Sequence, residues 1–145
     1  MPTPAETALT IFSQHFNCSQ SVFSAFAPQF GMDRETALKL ASPFGGGVAR
    51  RGELCGAVSG ALLALGLARG AAVPAGKEEI YRLSKEFMRQ FEQNHQSVLC
   101  RDLIACDLST PAGYQAATEK GVFTSICPAL VRDAVEIAQK LLEAA

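Results

Sequence analysis

The stretch LCGAVSGALLALGLA, residues 54–68, is the longest apolar run in the chain and carries no charge. Its 15 residues fall short of the roughly 18 to 20 needed to span a bilayer. Gly56 and Gly60 stand one helical turn apart, and Ala57, Ala61, Ala64 and Ala68 follow at helical intervals. The sequence therefore predicts a buried central helix over about Glu53 to Arg69, closed by Gly70. A glycine inside a helix costs about 1 kcal/mol relative to alanine, so something must compensate. Two explanations stand: close helix–helix packing, or space kept beside Cys55 for a second sulfur, a metal or a cofactor.

Outward from that helix the helical signals continue. Ala8, Ile11 and Phe12 mark a first helix over Ala5 to Gln14. Asn17 reads as the N-cap of a second helix beginning at Cys18, because Asn is a poor interior residue and a good cap. Asp33 caps the segment RETALKLAS, and Pro43 with FGGG (44–47) ends it in a loop. Lys77 to Gln93 is amphipathic, with Ile80, Leu83, Phe87 and Phe91 on one side and a Glu78–Arg82 pair on the other. SVLCRDLIACDL (97–108) reads as a short helix. Ser109 or Thr110, with Pro111 next, starts another helix that Gly121 ends. The last helix runs from about Cys127 to Glu143. No alternating strand pattern, internal repeat or linker interrupts this series. The expectation is an all-α, compact single domain (1–145) of six or seven helices around the Gly/Ala-rich central one.

Composition narrows the function. Of 145 residues, 48% are hydrophobic and 19% charged, a globular balance. The net charge of −1 gives no footprint for nucleic acid or an anionic membrane. The N-terminus has no basic region leading into an apolar stretch, so no secretory signal is expected. The expected setting is a reducing cytoplasm. Redox partner and oligomeric state are not legible.

The five cysteines are Cys18, Cys55, Cys100, Cys106 and Cys127, and none forms a C-x-x-C pair. A site built from them must be assembled by the fold. Cys18, Cys55, Cys100 and Cys127 each fall near an expected helix N-terminus, where free amides and the helix dipole favour an anion. A thiolate is an anion, and it is both the nucleophile and the metal ligand. Lowered pKa values are therefore expected, foremost at Cys55 or Cys18. Burial as small hydrophobes is the alternative explanation of the same cysteines.

Other candidates are weaker. FGGGVARRG (44–52) suggests a phosphate cradle, but it lacks the Gly-Lys-Ser/Thr ending and no strand precedes it. A turn that brings backbone close to the cysteines explains it better. His15, three residues before Cys18, is within reach of that site; His95 reads as solvated. Glu53 near Cys55 has a structural reason as a helix-start carboxylate.

FNCSQSVFSAF, FGGG, CGAVSG, LCRDL and CPALVRDAVEIAQKLL together resemble the bacterial and archaeal redox-active family called C_GCAxxG_C_C, over nearly the whole chain. The resemblance implies that its four cysteines are Cys18, Cys55, Cys100 and Cys127, with Cys55 to Gly60 as the CGAxxG element. It implies redox activity and names no substrate. Cys106 is extra to that set. A similar domain resembles part of certain multihaem cytochromes, but no C-x-x-C-H haem attachment motif occurs here.

Three functions remain open. The first is a thiol-based redox protein in which two or more of the four cysteines exchange electrons through a reversible disulfide, a thiol–disulfide oxidoreductase if it is an enzyme. The second is a module binding zinc or an iron–sulfur cluster through the same four cysteines, with Gly56 and Gly60 lining the site. The third is a helical interaction domain whose cysteines only pack.

Overall fold

The computed structural model describes residues 1–144. They form an all-α structure with seven helices of eight residues or more: α1 (Pro4–Ser13), α2 (Cys18–Phe26), α3 (Arg34–Ala41), α4 (Gly56–Arg69), α5 (Lys77–His95), α7 (Pro111–Lys120) and α9 (Cys127–Ala144). Two short helices, α6 (Cys100–Ile104) and α8 (Val122–Ser125), complete the order. No helix among the described residues is long and apolar enough to cross a membrane.

Helix starts follow the local chemistry of the sequence. Asn17 accepts the Gln20 amide at 2.9 Å, and the Gln20 side chain accepts the Asn17 amide at 3.0 Å. This reciprocal box satisfies two amides that a helix start leaves without partners. Asp33 caps α3 through the Thr36 amide at 3.0 Å. Thr110, rather than Ser109, caps α7 through Gly113.

The central helix α4 is lined by small residues on its buried side, and α2 lies directly against it. A Cβ on Gly60 would sit 2.6 Å from the Ser19 carbonyl oxygen. The missing side chain thus lets the two backbones approach. Ser59 joins the same contact, its hydroxyl 3.2 Å from that of Ser19 and 3.1 Å from the Gly56 carbonyl oxygen. At its other end α4 is tied to α9, where Arg69 donates to the Leu142 carbonyl at 2.7 Å.

Two apolar clusters result. The larger draws buried residues from α1, α2, α3, α4, α5 and α9, including Phe26, Val58, Leu65, Phe87, Phe91 and Val135. The smaller contains Cys100, Ile104, Leu108, Ala117, Val122 and Cys127. Cys55 belongs to the larger cluster, and Cys18 packs against both. The cysteines therefore lie along the seam between two layers.

Several local expectations change. The central helix begins at Gly56, and residues before it run extended through an isolated antiparallel bridge between Leu54 and Leu99. Arg82 pairs with Glu79 at 2.6 Å instead of Glu78. The closer spacing lets its guanidinium meet both carboxylate oxygens. His95 is not solvated. It is half-buried and tilted at 45° against Phe91 with centroids 4.6 Å apart, and its Nε2 lies 2.6 Å from Asp133, which joins α5 to α9.

Candidate functional site

Four helix starts converge here. Cys18, Cys100 and Cys127 are the first residues of α2, α6 and α9, and Cys55 is the N-cap of α4. All four line one cavity of about 900 Å³. Cys106 does not line it. That residue sits half-buried beyond α6 and packs against the smaller cluster.

Loops set these starts side by side. The Cys55 amide donates to the Val98 carbonyl at 2.7 Å, and the Cys100 amide donates to the Glu53 carbonyl at 2.7 Å. The glycine loop fills the space around them. A Cβ on Gly45 would lie 2.7 Å from the Asn17 side-chain Nδ2, and one on Gly47 would lie 2.7 Å from the Cys100 Cβ. Only glycine permits this approach. The loop is no phosphate cradle: the amides of Val48, Ala49, Arg50, Gly52 and Glu53 all donate to backbone carbonyls.

The two glycines of the CGAVSG element divide. Gly56 lines the cavity, and a Cβ there would lie 3.1 Å from the Cys18 Cβ. Gly60 does not line it and serves the contact with Ser19. His15 is exposed at the cavity mouth. Glu53 points to Arg51, with an ion pair at 2.7 Å.

The electrostatics correct the expectation of lowered pKa values at Cys55 and Cys18. Burial pushes the Cys55 thiol up to about 11, outweighing the nearby Ala57 and Val58 amides, which favour its thiolate. Its side chain makes no full capping hydrogen bond. Burial also raises Cys100 to about 12, with Cys55, Cys127 and Cys106 adding repulsion. Cys18 is raised well above the ordinary thiol value, first because its thiol is hydrogen-bonded to Cys127 and then by burial. Cys127 moves the other way: the Cys18 hydrogen bond lowers it, against the opposing effect of burial. At Cys55 the helix terminus is thus subordinate, since desolvation penalises the charged form more strongly than the two amides favour it.

Zinc sites require three or four Cys, His or carboxylate ligands converging on one centre, and iron–sulfur clusters are held chiefly by Cys thiolates. Among the described residues, no group of three or more His, Cys, Asp or Glu is placed to hold a metal ion. The cysteines as arranged do not fit such a centre.

The family described as "Putative redox-active protein (C_GCAxxG_C_C)" matches residues 16–141. No curated protein and no solved structure matches the chain.

Proposed function

The chain belongs to the C_GCAxxG_C_C redox-active family, and from that premise we propose that it reduces disulfides with Cys127 as attacking thiolate and Cys18 as resolving thiol. One observation carries this reading: Cys18 and Cys127 begin two helices that open into one cavity, where Cys18 packs against the cluster that holds Cys127, and the interaction of the two thiols raises Cys18 and lowers Cys127. A nucleophile beside a protonated second thiol is what thiol–disulfide exchange requires.

The Cys127 sulfur attacks one sulfur of a disulfide R–S–S–R′, forming a mixed disulfide and expelling R′S⁻. The Cys18 proton goes to R′S⁻, giving R′SH. The Cys18 thiolate then attacks the Cys127 sulfur and expels RS⁻, which takes a proton from solvent. Two electrons pass from the protein dithiol to the substrate, leaving a Cys18–Cys127 disulfide. Cys55 and Cys100 remain neutral thiols on the cavity wall and are the second pair available to the same site. A cytoplasmic setting, where reduced thiols are the resting form, suits this exchange.

Peptide mapping after treatment with one equivalent of dipyridyl disulfide tests this. The expected product is the Cys18–Cys127 crosslink in wild type and a stable mixed disulfide on Cys127 in Cys18→Ala. A crosslink confined to other cysteines, or purified protein carrying stoichiometric zinc or iron, would overturn it.

A further inference from the structure

The cavity that holds the thiols is apolar over most of its wall, with Phe12, Phe16, Leu108 and Phe123 among its lining. At its mouth stands Arg50, whose guanidinium carbon lies 4.0 Å above the Tyr114 ring centroid. Among the described residues, the ion pairs involve other cations and leave Arg50 without a carboxylate. Its neighbour Arg51 is paired with Glu53. Stacking occupies the face of a guanidinium and leaves its in-plane N–H edge to fork an anion.

The backbone that delivers Arg50 is unusual. Gly46, Gly47, Val48, Ala49 and Arg50 have φ of 63°, 73°, 65°, 51° and 66°, a continuous left-handed run. Non-glycine residues rarely adopt that region, because Cβ crowds the following carbonyl oxygen. The run is closed by hydrogen bonds from Ala49 to Pro43 (2.9 Å) and from Arg50 to Gly45 (3.0 Å). Strain of this kind persists where the surroundings over-determine it, and it gathers at ligand clamps. Here it carries a cation from the glycine loop across to α7, over the opening of a cavity whose 900 Å³ lies in the range of small-molecule sites.

We propose that this cavity binds a small organic anion with an apolar, ring-sized body, its carboxylate on Arg50 and its body among the Phe side chains. Resting on the thiol reading above, the substrate class is an apolar organic disulfide that bears a carboxylate. Arg50 is then the residue that selects for the acid, and Tyr114 positions it.

Two arms test the inference separately from the thiol chemistry. In the first, titration calorimetry compares phenylpropanoate with neutral phenylpropanol on reduced wild type, Arg50→Gln and Arg51→Gln. Neither ligand can react with sulfur. The acid is expected to bind wild type about tenfold more tightly than the alcohol, as a charge-assisted contact gives. Arg50→Gln should abolish the preference and Arg51→Gln should keep it. No binding of the acid, equal binding of acid and alcohol, or a preference that survives in Arg50→Gln overturns the inference. In the second arm, thiol consumption is followed with dithiobis-nitrobenzoate, an aromatic disulfide bearing carboxylates, and with neutral dipyridyl disulfide. Arg50→Gln should slow the first about tenfold relative to the second. Formation of the Cys18–Cys127 crosslink with no Arg50-dependent preference for the acid keeps the thiol reading and overturns this one. An Arg50-dependent preference with no crosslink does the reverse.

Discussion

Leu54 and Leu99 meet in a single antiparallel bridge, and that contact aligns the starts of α4 and α6. The flanking hydrogen bonds use the amides of Cys55 and Cys100 themselves. Two of the four cysteines are therefore positioned by one short backbone pairing, and a third, Cys18, follows through the packing of α2 on α4.

The lowered Cys127 and raised Cys18, Cys55 and Cys100 thiols predict an order of reactivity. At neutral pH, Cys127 should take up iodoacetamide first, with Cys55 and Cys100 last. Cys18→Ala removes the partner that favours the Cys127 thiolate, so alkylation of Cys127 should slow several-fold. Mass spectrometry of timed samples reads both results. Cys55 reacting first would contradict the electrostatics of the site.

Stability should fall in alkali because of Cys55. Its pKa is raised from 9.0 to about 11 in the folded protein. Below pH 9 the thiol is neutral in both states and its contribution is intact. Between about pH 9 and 11 the unfolded chain loses the proton first, so unfolding is favoured by about 1.4 kcal/mol per pH unit. Urea midpoints across this range should drop more steeply in wild type than in Cys55→Ala. Parallel curves would show that burial does not hold this thiol neutral.

Substitutions at the two glycines of α4 should separate packing from chemistry. Gly60→Ala drives a Cβ into the Ser19 carbonyl and should cost about 1 to 3 kcal/mol of overpacking. Gly56→Ala meets Cys18 and the backbone of Ser19 and Phe44 at 3.0 to 3.2 Å, where a shift of a few tenths of an ångström suffices. It should change the Cys127 alkylation rate more than the melting temperature. An unchanged rate with a large loss of stability would make Gly56 a packing residue alone.

The left-handed run offers a stabilising change. Ala49 is exposed with φ of 51°. Replacing it by glycine removes roughly 1 to 2 kcal/mol of steric cost and adds about 0.5 to 1 kcal/mol of chain entropy. Ala49→Gly should therefore raise the urea midpoint slightly. A lower midpoint would mean that this residue is not strained.

Much of this organisation is legible in the sequence because it is local. Asn17, Asp33 and Thr110 announce their helices through short side chains that reach amides a few residues on. The placement of Cys18 at the start of α2 follows from the Asn17 cap. The Leu54–Leu99 bridge is invisible because one residue pair has no period. The left-handed conformation of Val48, Ala49 and Arg50 has no composition signal, since only the glycines beside them favour it. The stacking of Arg50 on Tyr114 and the burial of Cys55 depend on tertiary packing. That packing reversed the expected direction of the Cys55 pKa: a helix start can be read from residues, but the dielectric around it cannot.

The smaller layer has a dynamic consequence. Along α7 only Ala117 is fully buried, whereas eight residues of α4 are. Local opening free energies scale with such buried apolar contact. Backbone amides of α7 should therefore exchange with deuterium through sub-global opening well before those of α4. Since Tyr114 of α7 and Phe123 of α8 form part of the cavity wall, such opening enlarges the route to the sulfurs while the main core stays closed. The accessibility of the thiols is then an equilibrium property of one weakly attached segment, which a substitution in α7 can tune without moving the global melting point.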